Sequence, residues 1–212
     1  MKKPAKKLAK KRAYHHGDLK DQLVAAAEAI ILERGVDGFT LREAARRAGV
    51  SPAAPAHHFK DAKGLLAEVA LRGFRDFGDA LDKADREGRD PPARLMGQGV
   101  AYVHFAMKHP ARFQLMFQHG KYDMSYPGLE ETGARAFGVL ERAVRAAYGL
   151  KDGAELTPDA LGFLMAEWSI VHGFAHLALG GEFDLAAGQY GGKKAILERF
   201  LPLTLKHLPV KR

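Results

Sequence analysis

Trp168, His172 and His176 recur at four-residue steps near the C-terminal end of the chain. In a helix this spacing puts them on one face, and two histidines four residues apart can grip a metal ion. A metal centre needs a third ligand, and none stands at motif spacing; the HExxH pattern is also missing. No metal and no cofactor is therefore expected, and packing or pocket lining is the preferred reading of this face. A different chemistry is written at the other end. Residues 1–16 carry Lys2, Lys3, Lys6, Lys7, Lys10, Lys11 and Arg12 with no acid, and so hold nearly all of the net charge of +8. Unopposed positive charge with no apolar face beside it suits phosphates better than a membrane surface.

Catalysis finds little foothold. The chain has 212 residues and no cysteine, which excludes disulfides, zinc-thiolate sites and thiol nucleophiles. The stretch "GQGVAY" at 97–102 falls inside a helical pattern and is not a dinucleotide loop, and no nucleophile–base pair stands out. The chain is expected not to be an enzyme. The basic start is followed by no apolar segment of the signal type, and no run of about 18 apolar residues exists, so the expected place is the cytoplasm, without a membrane partner.

The elements that must position these groups all read as helices. Asp18 is placed as the cap of a first helix, with Leu19, Leu23, Ala26, Ala27 and Ile30 on one face and Gly35 as its stop. "TLRE" at 40–43 is a capping box, in which Thr40 and Glu43 exchange hydrogen bonds, and it opens a short helix ended by Gly49. Ser51 caps a third helix with Pro52 at its first position, Pro55 near its fourth and Phe59 closing it. Asp61 caps a long fourth helix over 62–86. "EGRDPP" at 87–92 is the domain boundary. Beyond it, helices are predicted over 92–109, 110–118, 128–148, 158–179 and 193–207, the last kinked at Pro202, with "LAAGQYGG" left as a loop. The expected fold is all-α, with about nine helices: a basic arm at 1–16, a helix-turn-helix domain at 17–86 and a second helical domain at 92–208.

Two short helices around the turn Gly49-Val50-Ser51 inside a three-helix bundle form a helix-turn-helix. Small Ala45 and Gly49 let the helices approach, and Val50 fills the core beneath the turn. The whole run "YHHGDLKDQLVAAAEAIILERGVDGFTLREAARRAGVSPAAPAHHFKDAKGLL" resembles the N-terminal domain of TetR-family transcriptional regulators. Further on, "HPARFQLMF" and "AEWSIVHGFAHLAL" resemble the C-terminal domain of the subgroup with a Trp-x-x-x-His-Gly signature. The resemblance implies a homodimeric, all-α, ligand-responsive repressor that binds palindromic double-stranded DNA. Two positions depart from the family: Ala56 stands where an aromatic is common, and Ala62 where Lys is common. Both bear on phosphate contacts, not on the fold.

The residues this implies for DNA are Lys10, Lys11, Arg12, Tyr14 and His15 on the arm, Thr40, Arg42 and Arg46 on the second helix, and Ser51, Pro52, Ala53, Ala54, Ala56, His57, His58, Lys60 and Lys63 at and after the third. Alanine offers a base edge only a methyl contact, so the arm, Arg42 or Arg46 and DNA shape must supply what this helix lacks. That weakness keeps a sequence-neutral architectural DNA binder in play as the alternative. The family also implies a cavity for an apolar or aromatic effector, with Met96, Val103, Met107, Phe113, Met116, Phe117, Phe137, Phe163 and Trp168 as candidate walls and His104, Glu167 and His172 as its polar groups. It places the dimer contact on helices 158–179 and 193–207; Gly162 and Gly173 either allow close approach there or relieve crowding inside the monomer.

Overall fold

A computed structural model describes residues 16–206, and among these the chain is all helix, with no strand. Residues 1–15, with Lys10, Lys11, Arg12, Tyr14 and His15, lie outside the described residues. Helix α1 spans His16–Arg34, so Asp18 falls inside it and not at its cap. Helix α2 is Leu41–Arg47 and α4 is Ala62–Glu87. Their caps behave as the side-chain chemistry requires: Thr40 accepts from the Glu43 amide at 3.2 Å and Asp61 from the Gly64 amide at 2.9 Å. The return half of the capping box is not made. The Glu43 carboxylate instead takes Arg46 and Arg47, because a charged donor makes a stronger hydrogen bond than an amide.

The third helix is the largest correction. An α-helical ladder cannot begin at Ser51, because Pro55 has no N–H to donate to the Ser51 carbonyl and its ring crowds that oxygen. The chain crosses 52–55 in tight turns, with Ala54 N donating to Ser51 O at 3.0 Å, and α3 is only Ala56–Phe59. Pro55, not Ser51, precedes it, and no side chain caps it. A helix this short has no useful dipole with which to hold a phosphate at its start. Gly49 has φ +69 with nothing near a would-be Cβ, so glycine is needed there for its left-handed backbone and not for close approach.

Beyond a three-residue break come α5 (Pro91–Lys108), α6 (Pro110–Met116), α7 (Leu129–Ala147) and α8 (Pro158–Gly180). The segment expected as a loop holds a helix, α9 (Asp184–Tyr190), stopped by Gly191 in a left-handed conformation. The last helix, α10, spans 193–205, and its backbone departs from a regular α-helix just ahead of Pro202. It opens at Lys193–Ala195, widens to a π-turn at Ile196–Phe200 and closes at Leu201–Leu205, with Leu201 N donating to Ile196 O. The wide turn takes up the proline that would otherwise collide with the carbonyl four residues back.

Two clusters of buried side chains result. One gathers Leu23, Ile30, Phe39, Phe59 and Leu65 from α1–α4, together with Ala111 and Leu115 of α6. The other joins α4, α5, α7, α8 and α10 around Phe77, Val103, Phe113, Val139, Leu164 and Leu201. Helix α4 contributes to both. Gly99 lets Leu205 of α10 lie against α5; a Cβ there would sit 2.8 Å from the leucine methyl. Among the described residues no helix is long and apolar enough to cross a membrane.

Candidate nucleic-acid interface and effector cavity

The surface around the helix-turn-helix is held from beneath. Arg47 donates to both oxygens of Glu33 on α1, at 2.8 and 2.6 Å, and to Glu43 at 2.9 Å, so α2 is tied across α1. With Arg46 also paired to it bidentately, Glu43 is pushed down to about 2. On α4, Glu68 is buried; burial pushes its carboxyl up, but hydrogen bonds from Lys20, Arg72 and Tyr126 together outweigh it and hold the value low. Burial of a charge is tolerated only where donors surround it, and these donors come from α1, α4 and the loop before α7.

Thr40, Arg42, Arg46, Ser51, Pro52, Ala53, Ala56, His57, Lys60 and Lys63 are all exposed. Ala54 is partly buried against the N-terminal core, and half-buried His58 has its ring 6.2 Å from Phe59. Arg46 is committed to Glu43, whereas Arg42 has no ion pair among the described residues. Lys60 carries an unexpected backbone: φ 65 and ψ −60, with Asp61 N donating to Phe59 O at 2.7 Å. This is a three-residue γ-turn with a positive φ, a strained conformation for a residue with a Cβ. It reverses the chain between α3 and α4.

A cavity of about 590 Å³ opens between α4, α5, α7 and α8. Its walls are Phe74 and Phe77 from α4, Gln98 and Tyr102 from α5, Phe117 just after α6, Phe137 and Leu140 from α7, and Glu167, Trp168 and Val171 from α8. Of the sequence candidates, Phe117, Phe137, Glu167 and Trp168 stand on this wall. Val103, Phe113 and Met116 are fully buried in the core instead, Phe163 packs beside Tyr148, and Met96 and Met107 flank the core. His104 faces a different groove, between α4 and α5. His172 stands behind the wall: its Nδ1 lies 2.7 Å from the Tyr102 hydroxyl, and burial, then the neighbouring His176, pulls its value below the ordinary histidine range. The two imidazole rings meet edge to face with centres 4.5 Å apart, both beside Phe113, and among the described residues no group of three His, Asp or Glu is placed to hold a metal.

Tyr102, Phe77 and Gln98 were missed by sequence reasoning. Gln98 carried a readable signal, being an amide four residues before Tyr102 on an otherwise apolar helix face. Arg112 on α6 is one link between the two bundles: it donates to Glu28 of α1 at 2.7 Å and also pairs with Asp76 of α4.

Comparison with known proteins agrees with this layout. Residues 23–69 match the model described as bacterial regulatory proteins, tetR family, and residues 95–199 match that of the tetracyclin repressor-like C-terminal domain. A structure of a protein of unknown function from Rhodococcus sp. RHA1 is 31% identical with a TM-score of 0.71, covering 93% of this chain and 99% of that one. A bacterial regulatory protein in the tetR family from Rhodococcus RHA1 superposes with a TM-score of 0.69 at 20% identity, over 92% and 98% of the two chains. The TetR family transcriptional regulator PfmR from Thermus thermophilus gives 0.63 at 21%, over 90% and 97%. An uncharacterized HTH-type transcriptional regulator of Bacillus subtilis, YobS, is 27% identical over 92 residues, which is 43% of this chain and 48% of that relative, so the match spans about half its length. With one model matching the helix-turn-helix and the other the cavity-bearing bundle, the chain belongs to the TetR family of transcriptional regulators, proteins that control transcription and are not enzymes.

Proposed function

We propose that the protein is a homodimeric, ligand-responsive repressor acting in the cytoplasm on palindromic double-stranded DNA. In this reading residues 1–16 are a DNA-binding arm, 17–86 the reading domain and 92–208 the effector and dimerisation domain. The observation that carries it is the pairing of an exposed helix-turn-helix surface with an apolar cavity, joined through α4 and Arg112. A cavity of this size, lined by aromatics with a few polar groups, suits a small molecule.

Dimerisation is assigned to α8 and α10. Leu161, Met165 and Leu177 on α8, Tyr190 on α9 and Leu203 on α10 are all exposed, and exposed large apolar side chains on these helices support an association surface. Gly162 and Gly173 have nothing within 4 Å of a would-be Cβ, so neither relieves crowding inside the monomer and both leave room for a partner helix. Two reading domains would then stand about 34–36 Å apart. The effector acts by favouring a dimer of the wrong separation.

The face offered to the major groove is Pro52, Ala53, Ala56 and His57, which has little hydrogen-bonding capacity. Specificity is assigned to Arg42, the arm and DNA shape. The same poverty favours a second reading, a sequence-neutral architectural binder. Genome-wide occupancy separates them. The repressor gives a few sharp peaks centred on inverted repeats, weakened by Arg42→Ala; broad coverage without a repeat rejects it in favour of the architectural protein.

A further inference from the structure

Two acceptors in the cavity wall have no donor among the described residues. Gln98 is 3% exposed; its amide nitrogen donates to Asp85 at 2.8 Å, while its Oε1 is buried without a hydrogen-bond partner. Glu167 is 4% exposed and has no ion pair or hydrogen bond among the described residues. Burial alone pushes its carboxyl up to about 7, so near neutrality it is poised between the two protonation states. An orphaned buried acceptor in a native fold calls for an explanation, and two on one cavity wall call for a donor from outside the chain.

The rest of the wall agrees on the sign of that donor. Among the described residues, Glu130 stands exposed at the mouth, His119 nearby is the one basic side chain, and no Lys or Arg lines the cavity. A carboxylate or phosphate ligand would meet two acids and no strong counter-charge. The faces of Tyr102 and Trp168 are electron-rich and attract a cation.

We propose that the cavity takes a hydrophobic amine, an aryl or alkyl body with a protonated nitrogen whose ammonium pairs with Glu167 and turns a donor to Gln98 Oε1. The inference rests on the cavity being the effector site and goes beyond it in naming the ligand's charge. His119, Glu130, Tyr102 and Tyr122 on the lining, His172 behind Tyr102 and Asp85 behind Gln98 are the other titratable groups around the bound cation. None of them replaces Glu167 as its buried counter-ion.

The test uses the full chain and three size-matched probes: 4-phenylbutylamine, 4-phenylbutanol and 4-phenylbutyrate. Trp168 is the chain's single tryptophan and lies on the wall, so its fluorescence reports occupancy there, with calorimetry supplying Kd. The amine is expected to bind about tenfold tighter than the alcohol, and the acid most weakly. Glu167→Gln, isosteric and neutral, removes the amine's advantage and leaves alcohol binding in place; Gln98→Leu reduces the advantage in part and serves as the second variant. Because the ion pair needs an ionised Glu167, moving from about pH 8 to about pH 6 weakens the amine about tenfold and leaves the alcohol unchanged. Equal binding of amine and alcohol, or an advantage that survives in both variants, overturns the inference while the cavity stands as a ligand site. If none of the three probes perturbs Trp168 at millimolar concentration, the effector-site reading falls as well.

Discussion

Glu167 makes the stability of the ligand-free protein depend on pH in a way one substitution abolishes. Its carboxyl moves from an ordinary 4.5 in the unfolded chain to about 7 in the folded one, and burial is the cause. The folded value is raised, so between these two limits the native chain holds a proton that the unfolded chain has released. Stability therefore falls as pH rises from about 4.5 to about 7, and the loss is complete above that. At about 1.4 kcal/mol per pH unit, the gap corresponds to about 3 kcal/mol, a ceiling because the cavity admits water to the carboxyl. Glu167→Gln keeps the shape and loses the titration. The variant is expected to match the parent near pH 4.5 and to exceed its stability by up to about 3 kcal/mol at about pH 8. Urea unfolding of both proteins at one protomer concentration across this range measures the difference. Burial also pulls His109 and His172 below the ordinary histidine range, but they are present in both proteins and largely cancel in that difference. A difference that stays constant with pH would refute the argument, since it would mean that the carboxyl does not carry its proton in the folded state.

Three further outcomes follow from the geometry. Lys60→Gly relieves the γ-turn between α3 and α4 and should raise folding stability by about 1 kcal/mol in thermal or urea melts; an unchanged or lower value means the turn is not strained. Met165→Glu places a charge on the exposed apolar face of α8 and should leave a folded monomer, read by light scattering with unchanged helical circular dichroism; a dimer of unaltered strength moves the interface elsewhere. Removing residues 1–13 takes away all seven arm bases, and should lower DNA affinity for many sequences and flatten its salt dependence by about 0.9 for each phosphate no longer neutralised. An unchanged slope excludes the arm as a DNA contact.

What could be read from the chain without coordinates follows from the range of the forces involved. Caps act over three residues, and Thr40 and Asp61 are both where their side chains placed them. Failures came where a local rule met a longer one. Pro55 cancelled the start that Ser51 and Pro52 advertise, and Glu43 turned from its capping amide to two arginines. Ahead of Pro202 the ladder widens to a π-turn, which no local sequence rule announced. For the cavity, periodicity identified apolar faces but not which of them meets empty space. Phe113 and Phe117 are one turn apart on the same face, yet one is sealed in the core and the other borders the cavity. That distinction depends on the crossing of four helices, which no single helix encodes.

The seven residues of α6 act as a rigid strut. Its last turn leads directly into Phe117 at the cavity, and its guanidinium at position 112 grips α1 and α4 of the reading domain at once. No flexible hinge separates the two ends, so an occupant that displaces the aromatic end must strain or break the grip. For the ligand-responsive repressor proposed above, thermodynamic reciprocity would bind the two events: by whatever factor an effector loosens the operator, the operator loosens the effector.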